Sequence, residues 1–158
     1  MRIIGIDPGY ERLGLAVIEK SASGKEMLLH SECFRTDPAI PFQERLLMLG
    51  THLSELIGSY EPRYVALENI YFNTNQKTAL DVAAVRGVIL YTSNQRGVTT
   101  FEYTPPQIKV AITGNGRAPK KDVETMLHRL IDIDGRARLD DEYDAIAVAL
   151  THSAIHRE

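Results

Sequence analysis

The sequence contains little cysteine and no long apolar run. Cys33 is the only cysteine among 158 residues, which excludes an intrachain disulfide and a zinc site built from several cysteines. We expect its thiol to be buried and inert. No segment approaches the roughly 18 consecutive apolar residues of a membrane span, and the opening MRIIGID reaches Gly5 and Asp7 too early for a signal peptide. These absences predict a soluble, cytoplasmic protein with no membrane partner.

The sequence also lacks an excess of positive charge. The formal net charge is −3, whereas nucleic-acid binders are commonly basic. The cations are unevenly distributed, however, because residues 103–121 contain four basic residues and no acid. These four are Lys109, Arg117, Lys120 and Lys121. The length, together with a hydrophobic content of 44%, predicts a single domain over residues 1–158 with an ordinary core.

Apolar periodicity and turn residues predict the order of the strands and helices. The predicted strands are 2–7, 13–19, 27–34, 63–68 and 98–103. The predicted helices are 42–60, 78–94, 105–113, 121–131 and 141–156. The first three strands should form a meander, and the fourth should lie parallel to the first. This order predicts an α/β fold, with a five-stranded mixed sheet covered by helices on both faces.

Four acidic residues lie where such a fold would bring them together. Asp7 ends the first strand and Glu68 ends the fourth, and ligand sites in such sheets lie outside the carboxyl ends of the strands. Asp141 and Asp144 are three residues apart and therefore share one face of the last helix. Four acids without matched cations would repel one another. A hard divalent cation, Mg²⁺ or Mn²⁺, would relieve that repulsion, and two such ions could hydrolyse a phosphodiester.

Each acid also has a purely structural interpretation. Asp7-Pro8-Gly9 is compatible with a simple turn, and Asp141 could offset the dipole at a helix N-terminus. Asp144 lies inside an apolar helix and is harder to explain as a surface residue. His152 is interpreted as a structural or surface residue. Alanines at 145, 147 and 149 should let the last helix approach the sheet closely.

Five segments, in order along nearly the whole chain, resemble the bacterial RuvC family of Holliday junction resolvases. They are GIDPG at 5–9, ALENIYF at 66–72, AAVRGV at 83–88, GNGRAPKK at 114–121 and DEYDAIAVALTH at 141–152. GIDPG alone is a weak signal, since other ribonuclease H-like proteins share it. The closing segment is more specific, because an acid stands three residues before Asp-Ala and small and apolar residues alternate after it.

The resemblance implies a ribonuclease H-like nuclease fold and a catalytic role for the four acids. Asp7, Glu68, Asp141 and Asp144 match the catalytic, metal-binding carboxylates of the family. It further implies two Mg²⁺ ions per site, with Mn²⁺ as a substitute, and symmetric cleavage of four-way junctions during recombination and repair. The implied partners are a second copy of the chain, in a homodimer, and the branch-migration complex of RuvA and RuvB. Glu142-Tyr143 departs from the family in being bulkier than the small pair often found there.

Two further groups of residues are candidates for contacting DNA. Lys109, Arg117, Lys120 and Lys121 surround a glycine turn and a helix start, where cations and backbone N–H groups bind phosphate. Tyr71 and Phe72 follow Glu68 and could stack on unpaired bases. The alternatives are solvated lysines and aromatic residues packed in the core. The family carries a functional aromatic residue at the position of Tyr71, which favours the stacking role.

Other functions are compatible with parts of the sequence. A ribonuclease H-like nuclease acting on RNA or RNA–DNA hybrid is the main alternative. A fragment of an actin-like protein or sugar kinase, or an inactive junction-binding module, is a weaker one. For the dimer, the predicted contact is the helix at 78–94, whose small and apolar residues exceed what one sheet face requires. These residues are Ala83, Ala84, Gly87, Val88 and Tyr91.

Overall fold

A computed structural model describes residues 1–69 and 76–156 of the chain. Its strands are Arg2–Asp7 (β1), Arg12–Lys20 (β2), Glu26–Arg35 (β3), Tyr64–Glu68 (β4) and Thr99–Tyr103 (β5). Its helices are Phe42–Tyr60 (α1), Gln76–Gln95 (α2), Pro105–Thr113 (α3), Lys120–Leu130 (α4) and Asp140–Ile155 (α5). The predicted elements are all present. Those at 2–7, 42–60 and 105–113 have the predicted ends, and the others differ by a residue or two at one or both ends.

The five strands form one mixed sheet in the order β3-β2-β1-β4-β5. β1 pairs antiparallel with β2, and β2 pairs antiparallel with β3. β4 lies parallel to β1, and β5 lies parallel to β4. The predicted meander and the predicted parallel pair are therefore confirmed. The ends of β1, β3, β4 and β5 and the start of β2 consequently meet at one end of the sheet, which we call its carboxyl end.

Alternation along the strands divides the core into two layers. Ile4, Ile6 and Leu67 pack against α1 and α2 on one face of the sheet. Ile3 and Ala66 face the opposite layer, which contains α3, α4 and α5. The helices thus cover both faces, as the element order predicts. By the same alternation, every second residue after Ile3 in β1 and after Ala66 in β4 faces α5.

The contact between α5 and the sheet is close enough to involve backbone atoms. A Cβ atom on Gly5 would overlap the carbonyl oxygen of Ala145, and one on Gly14 would overlap that of Asp141. The same Cβ on Gly5 would lie 2.8 Å from the Cβ of Ala149. The predicted close approach of the alanine-rich helix is therefore found, and it requires glycine on the sheet as well as alanine on the helix. No helix in the described parts of the chain is long and apolar enough to cross a membrane.

Gly5→Ala should destabilise the protein, because the new methyl group meets backbone rather than a side chain that can move aside. We expect the free energy of unfolding to fall by about 1–3 kcal/mol, the usual cost of overpacking. Chemical denaturation followed by circular dichroism would measure it. The matched control is Gly58→Ala on α1, where a Cβ meets nothing within 4 Å. That change should raise stability by up to about 1 kcal/mol through helix propensity. Equal effects at the two glycines would contradict the close contact.

Candidate active site

Two carboxylates lie side by side at the carboxyl end of the sheet. Ile6 of β1 is in register with Leu67 of β4, so the next residues, Asp7 and Glu68, are neighbours. Both follow the alternation that directs Gly5 and Ala66 towards α5. The two side chains therefore project into the space between the sheet and the first turns of α5. The sequence predicted this adjacency from the strand ends alone.

The first turns of α5 add two more carboxylates, each with a cationic neighbour. Asp144 accepts a hydrogen bond from the Lys120 ammonium, with Nζ 2.8 Å from Oδ2. The Oδ2 atom of Asp141 lies 3.6 Å from Nη1 of Arg12. The expectation of four acids without matched cations is therefore wrong for these two. It fails because residues distant in sequence, at the start of α4 and the start of β2, reach the cluster only in the folded chain.

The electrostatics of the cluster centre on Asp7. Burial raises the pKa of Asp7 well above its usual value, and the charges of Glu68, Asp144 and Asp141 raise it further, against a smaller opposing effect of Lys120. Burial, followed by the charge of Asp144, also raises the pKa of Glu68, although a hydrogen bond with Asp7 acts in the opposite direction. No cation among the described residues forms an ion pair with Asp7 or Glu68. Two half-buried carboxylates are thus held where their negative charges are unfavourable.

The donor set fits a hard divalent cation. Carboxylate oxygens are the ligands that Mg²⁺ and Mn²⁺ prefer. A cation among these side chains would remove the repulsion that raises both pKa values. In the described parts of the chain, no three acidic, histidine or cysteine side chains are already arranged as ligands of one ion. On binding, Asp141 and Asp144 would exchange their present cationic neighbours, Arg12 and Lys120, for the metal ion.

A cleft of about 200 Å³ opens beside the carboxylates. Its polar wall contains Glu68, Asp144, Lys109 and Lys120, and its apolar wall is Pro105, Ile108, Val123 and Ala147. Of the four predicted phosphate-binding cations, the structure thus brings Lys109 and Lys120 to the carboxylates. Arg117 and Lys121 are exposed nearby, in the turn before α4 and in its first turn. Tyr71 and Phe72 lie outside the described residues.

Glu142, between the two acids of α5, anchors the helix, a role that was not predicted from the sequence. It is buried, and its carboxylate accepts hydrogen bonds from Ser31 Oγ at 2.9 Å and from the N–H of Leu139 at 3.2 Å. Arg136 pairs with it, and Arg138 lies 4.0 Å from it. Burial raises the pKa of Glu142, but the hydrogen bonds from Arg136, Ser31 and Leu139 outweigh burial and lower it overall.

A carboxylate at the third position of a helix is a known cap for the preceding N–H group. That spacing, from Leu139 to Glu142, is the signal by which the anchor could have been found in the sequence. The bulk that distinguishes Glu142 from the small residue often found there is explained by this buried network. The network fixes the start of α5, and with it the positions of Asp141 and Asp144.

Two other predictions concern single side chains near the cluster. Cys33 is half-buried rather than buried, and its Sγ lies 3.8 Å from Oδ2 of Asp141. It is half-buried because β3 ends at the rim of the site. Its pKa is nevertheless raised, first by burial and then by the charge of Asp141. His152 is fully buried and structural, since its Nδ1 lies 2.7 Å from the Tyr103 hydroxyl and burial lowers its pKa to about 4.

Asp7→Asn should stabilise the metal-free protein at neutral pH. A raised carboxyl pKa in the folded state means that stability is lost as pH rises from the ordinary value towards the raised one. Removing the charge should therefore increase the free energy of unfolding at pH 7 by roughly 0.5–2 kcal/mol. Urea denaturation in a chelator would measure it, with Glu55→Gln on the exposed face of α1 as the control. A loss of stability in Asp7→Asn alone would contradict the electrostatic account.

Comparison with known proteins identifies the family. The family described as "Crossover junction endodeoxyribonuclease RuvC" matches residues 3–152. The RuvC of Desulfitobacterium hafniense (strain DSM 10664 / DCB-2) is 39% identical, over 97% of this chain and 92% of that protein. The RuvC of Pelotomaculum thermopropionicum is 40% identical, over 97% of this chain and 93% of that protein.

The same family is found among solved structures. The structure of T. thermophilus RuvC in complex with Holliday junction substrate has a TM-score of 0.90 and 34% identity, and the match covers 98% of this chain and 93% of that one. The fold is accordingly ribonuclease H-like, as the sequence predicted. The chain belongs to the RuvC family of crossover junction endodeoxyribonucleases.

Proposed function

We propose that the carboxylate cluster of this nuclease is the site at which it resolves four-way (Holliday) DNA junctions. The observation that carries the proposal is the convergence of Asp7, Glu68, Asp141 and Asp144 at the carboxyl end of the sheet, in a chain of the RuvC family. Burial and mutual repulsion raise the pKa of Asp7. The charged cluster therefore destabilises the fold but is suited to bind a cation. The reaction is the hydrolysis of one phosphodiester in each of two opposed strands.

The four carboxylates would hold Mg²⁺, with Mn²⁺ as a substitute and two ions in each site. Such ions supply an activated water and stabilise the charge that develops on the phosphate and the leaving oxygen. The chain itself positions the strand to be cut. Lys109 and Lys120 line the cleft beside Glu68 and Asp144, so they can bind the phosphate of that strand.

The remaining predicted DNA contacts extend from this cleft. Arg117 and Lys121 are exposed beside it and would bind flanking phosphates. Tyr71 and Phe72 stay predictions, with Tyr71 favoured as the residue that stacks on an unpaired base. An RNA or RNA–DNA hybrid substrate is not favoured, because the relatives are crossover junction endodeoxyribonucleases and the T. thermophilus protein was solved with a Holliday junction. RuvA and RuvB are the proposed partners that deliver the junction.

A homodimer is the second part of the proposal, because cutting two opposed strands requires two active sites. α1 and α2 pack against each other and leave large apolar side chains on their outer faces. Leu47 is 70% exposed, Leu80 is 80% exposed and Tyr91 is 68% exposed. Val88, by contrast, packs close to Gly50 of α1 within the same chain. The proposed contact therefore omits Val88 from the predicted set, keeps Ala83, Ala84, Gly87 and Tyr91, and adds the exposed Leu80 and Leu47.

Asp7→Asn and Glu68→Gln should lower junction cleavage by roughly 10²–10³-fold or more, the scale on which loss of a transition-state contact acts. Junction binding should persist or strengthen, because each change removes repulsion of the phosphates. The assay compares labelled four-way junctions, linear duplex and RNA–DNA hybrid, with Mg²⁺ or with chelator. Glu55→Gln serves as the control with an unchanged rate. Near wild-type cleavage by Asp7→Asn would contradict the catalytic role of Asp7. Preferential cleavage of the RNA–DNA hybrid would favour a nuclease that acts on hybrids.

Gly87→Glu should convert the dimer to a monomer and leave the fold intact. A Cβ at Gly87 meets nothing within 4 Å in the chain, so the variant has room for the new side chain. Light scattering at micromolar concentration should give twice the 17.7 kDa chain mass for the wild type and the single mass for the variant. The variant should also leave junctions nicked in one strand. Gly135→Glu, equally unhindered, is the control. A wild-type monomer that resolves a junction in one encounter would contradict this proposal.

A further inference from the structure

Two arginines face each other across the strands at the carboxyl end of the sheet. Arg12 opens β2, Arg35 ends β3, and the two are directly paired in the antiparallel register. Directly paired residues lie on the same face of a sheet, and like charges in that position destabilise it. The next pair on the same face is Gly14 with Cys33, which lies against Asp141. The arginine pair therefore adjoins the carboxylate cluster and is unfavourable in the isolated protein.

Neither guanidinium is firmly bound to an anion. Arg12 approaches Asp141 at 3.6 Å, longer than a charge-assisted hydrogen bond, and its side chain is 54% exposed. Arg35 is exposed, and in residues 1–69 and 76–156 no carboxylate lies within ion-pair distance of it. A hydrogen bond with Arg35 and the charges of both arginines act to lower the pKa of the Cys33 thiol, against the larger effects of burial and Asp141. Apart from the hydrogen bond of Arg35 to Cys33 and the ion pair of Arg12 with Asp141, the N–H donors of both guanidiniums are available to an anion.

Hydrogen bonds hold together the two backbone segments that carry Arg12 and Arg35. The buried Arg45 donates one hydrogen bond to Oγ1 of Thr36 and another to the carbonyl oxygen of Tyr10, both at 2.8 Å. Thr36 Oγ1 donates to the same carbonyl at 3.0 Å, and the Thr36 N–H donates to the carbonyl of Glu11 at 3.2 Å. These contacts join the residue after Arg35 to the residues before Arg12. The backbone positions of Arg12 and Arg35 are therefore fixed relative to each other before any ligand binds, which lowers part of the entropic cost of binding.

The strand order determines the position of Arg12 and Arg35 relative to the cleft. Lys109 and Lys120 lie beside Glu68, on the β4 side of the carboxylates. Arg12 and Arg35 lie on the opposite side, on β2 and β3. Neighbouring strands are about 4.8 Å apart, so β3 is about 10 Å from Asp7 on β1. A DNA strand advances ~3.4 Å per nucleotide along the helix axis, so that distance corresponds to at most about three nucleotides.

We propose that Arg12 and Arg35 together bind one backbone phosphate of the cleaved strand, within about three nucleotides of the phosphate that is cut. The strand would then cross the carboxyl end of the sheet, from the lysines of the cleft, over the carboxylates, to the arginine pair. The phosphate would remove the repulsion between the two guanidiniums, and each could donate two parallel hydrogen bonds to it. This inference rests on the proposed nuclease function and adds a second phosphate site to it.

The first test measures junction binding in chelator as a function of salt, by fluorescence anisotropy. Replacing both arginines by glutamine should reduce the slope of log affinity against log salt by about 0.9 and weaken binding about eightfold at 0.1 M salt. Arg12→Gln and Arg35→Gln should each produce part of that change. Arg12→Lys and Arg35→Lys should retain most of the slope. The control is Lys25→Gln, an exposed cation in the turn at the other end of the same β2–β3 hairpin, with an unchanged slope expected. Unchanged slopes in both glutamine variants would overturn the proposal.

The second test locates the phosphate. Single phosphates around the cleavage site are replaced, one at a time, by neutral methylphosphonate. The wild type should lose affinity at one position within about three nucleotides of the cut. At that position Arg12→Gln and Arg35→Gln should each lose less affinity than the wild type, and the variant with both changes should lose none. If the glutamine variants lost as much affinity as the wild type at every position, including that one, the proposal would be overturned. Failure of the nuclease assignment is distinguishable, because the wild type would then show no preference for four-way junctions over linear duplex.

Thermal unfolding without DNA separates binding from a structural role. Because like charges oppose each other across the strands, Arg35→Gln should leave the midpoint unchanged or raise it. A lowered midpoint together with weakened binding would show that Arg35 supports the fold and would overturn its assignment as a phosphate ligand.

Discussion

The contact between α5 and the sheet is the constraint on which the site depends. The carbonyl oxygens of Asp141 and Ala145 lie so close to the strands that only glycine fits opposite them, at Gly14 and Gly5. A side chain at either position would move the helix away, and the two acids of the helix would separate from the two acids of the sheet. Packing at the backbone level thus sets the carboxylate geometry, and the small residues position the proposed site as well as complete the core.

In that geometry the negative charges of Asp7 and Glu68 are unfavourable unless a cation is bound. Burial and repulsion raise the pKa values of Asp7 and Glu68, so both carboxylates oppose folding at neutral pH. Glu142 has the opposite environment one residue from Asp141, since hydrogen bonds from Arg136 and Ser31 lower its pKa. The start of α5 is thus held by a satisfied carboxylate while its neighbours remain available for a ligand. Strain of this kind is usual at functional sites and is offset elsewhere in the fold.

The sequence predicted the parts of this arrangement that depend on the order of elements. Strand ends, proline and glycine located β1, α1 and α3 to the residue, and the parallel pairing of β1 with β4 followed from the same pattern. Asp7 and Glu68 were therefore found together. The pairing of Lys120 with Asp144, of Arg12 with Asp141, and of Glu142 with Arg136 could not be predicted, because each joins elements whose relative placement depends on packing and register. The half-buried position of Cys33 likewise depends on where β3 ends relative to α5.

The cations around the cluster divide into two classes by their exposure. Arg138 is 3% exposed and lies 4.0 Å from the buried Glu142, so it belongs to the fixed framework of α5. Lys120 and Arg12, which neutralise Asp144 and Asp141, are 53% and 54% exposed. A solvent-exposed ion pair is worth only about 0–1 kcal/mol, so either cation can leave its carboxylate at small cost. In the free protein these two side chains moderate the repulsion among the acids. If a metal were bound by the carboxylates as proposed, the same two cations would become available to the phosphates of the strand on either side.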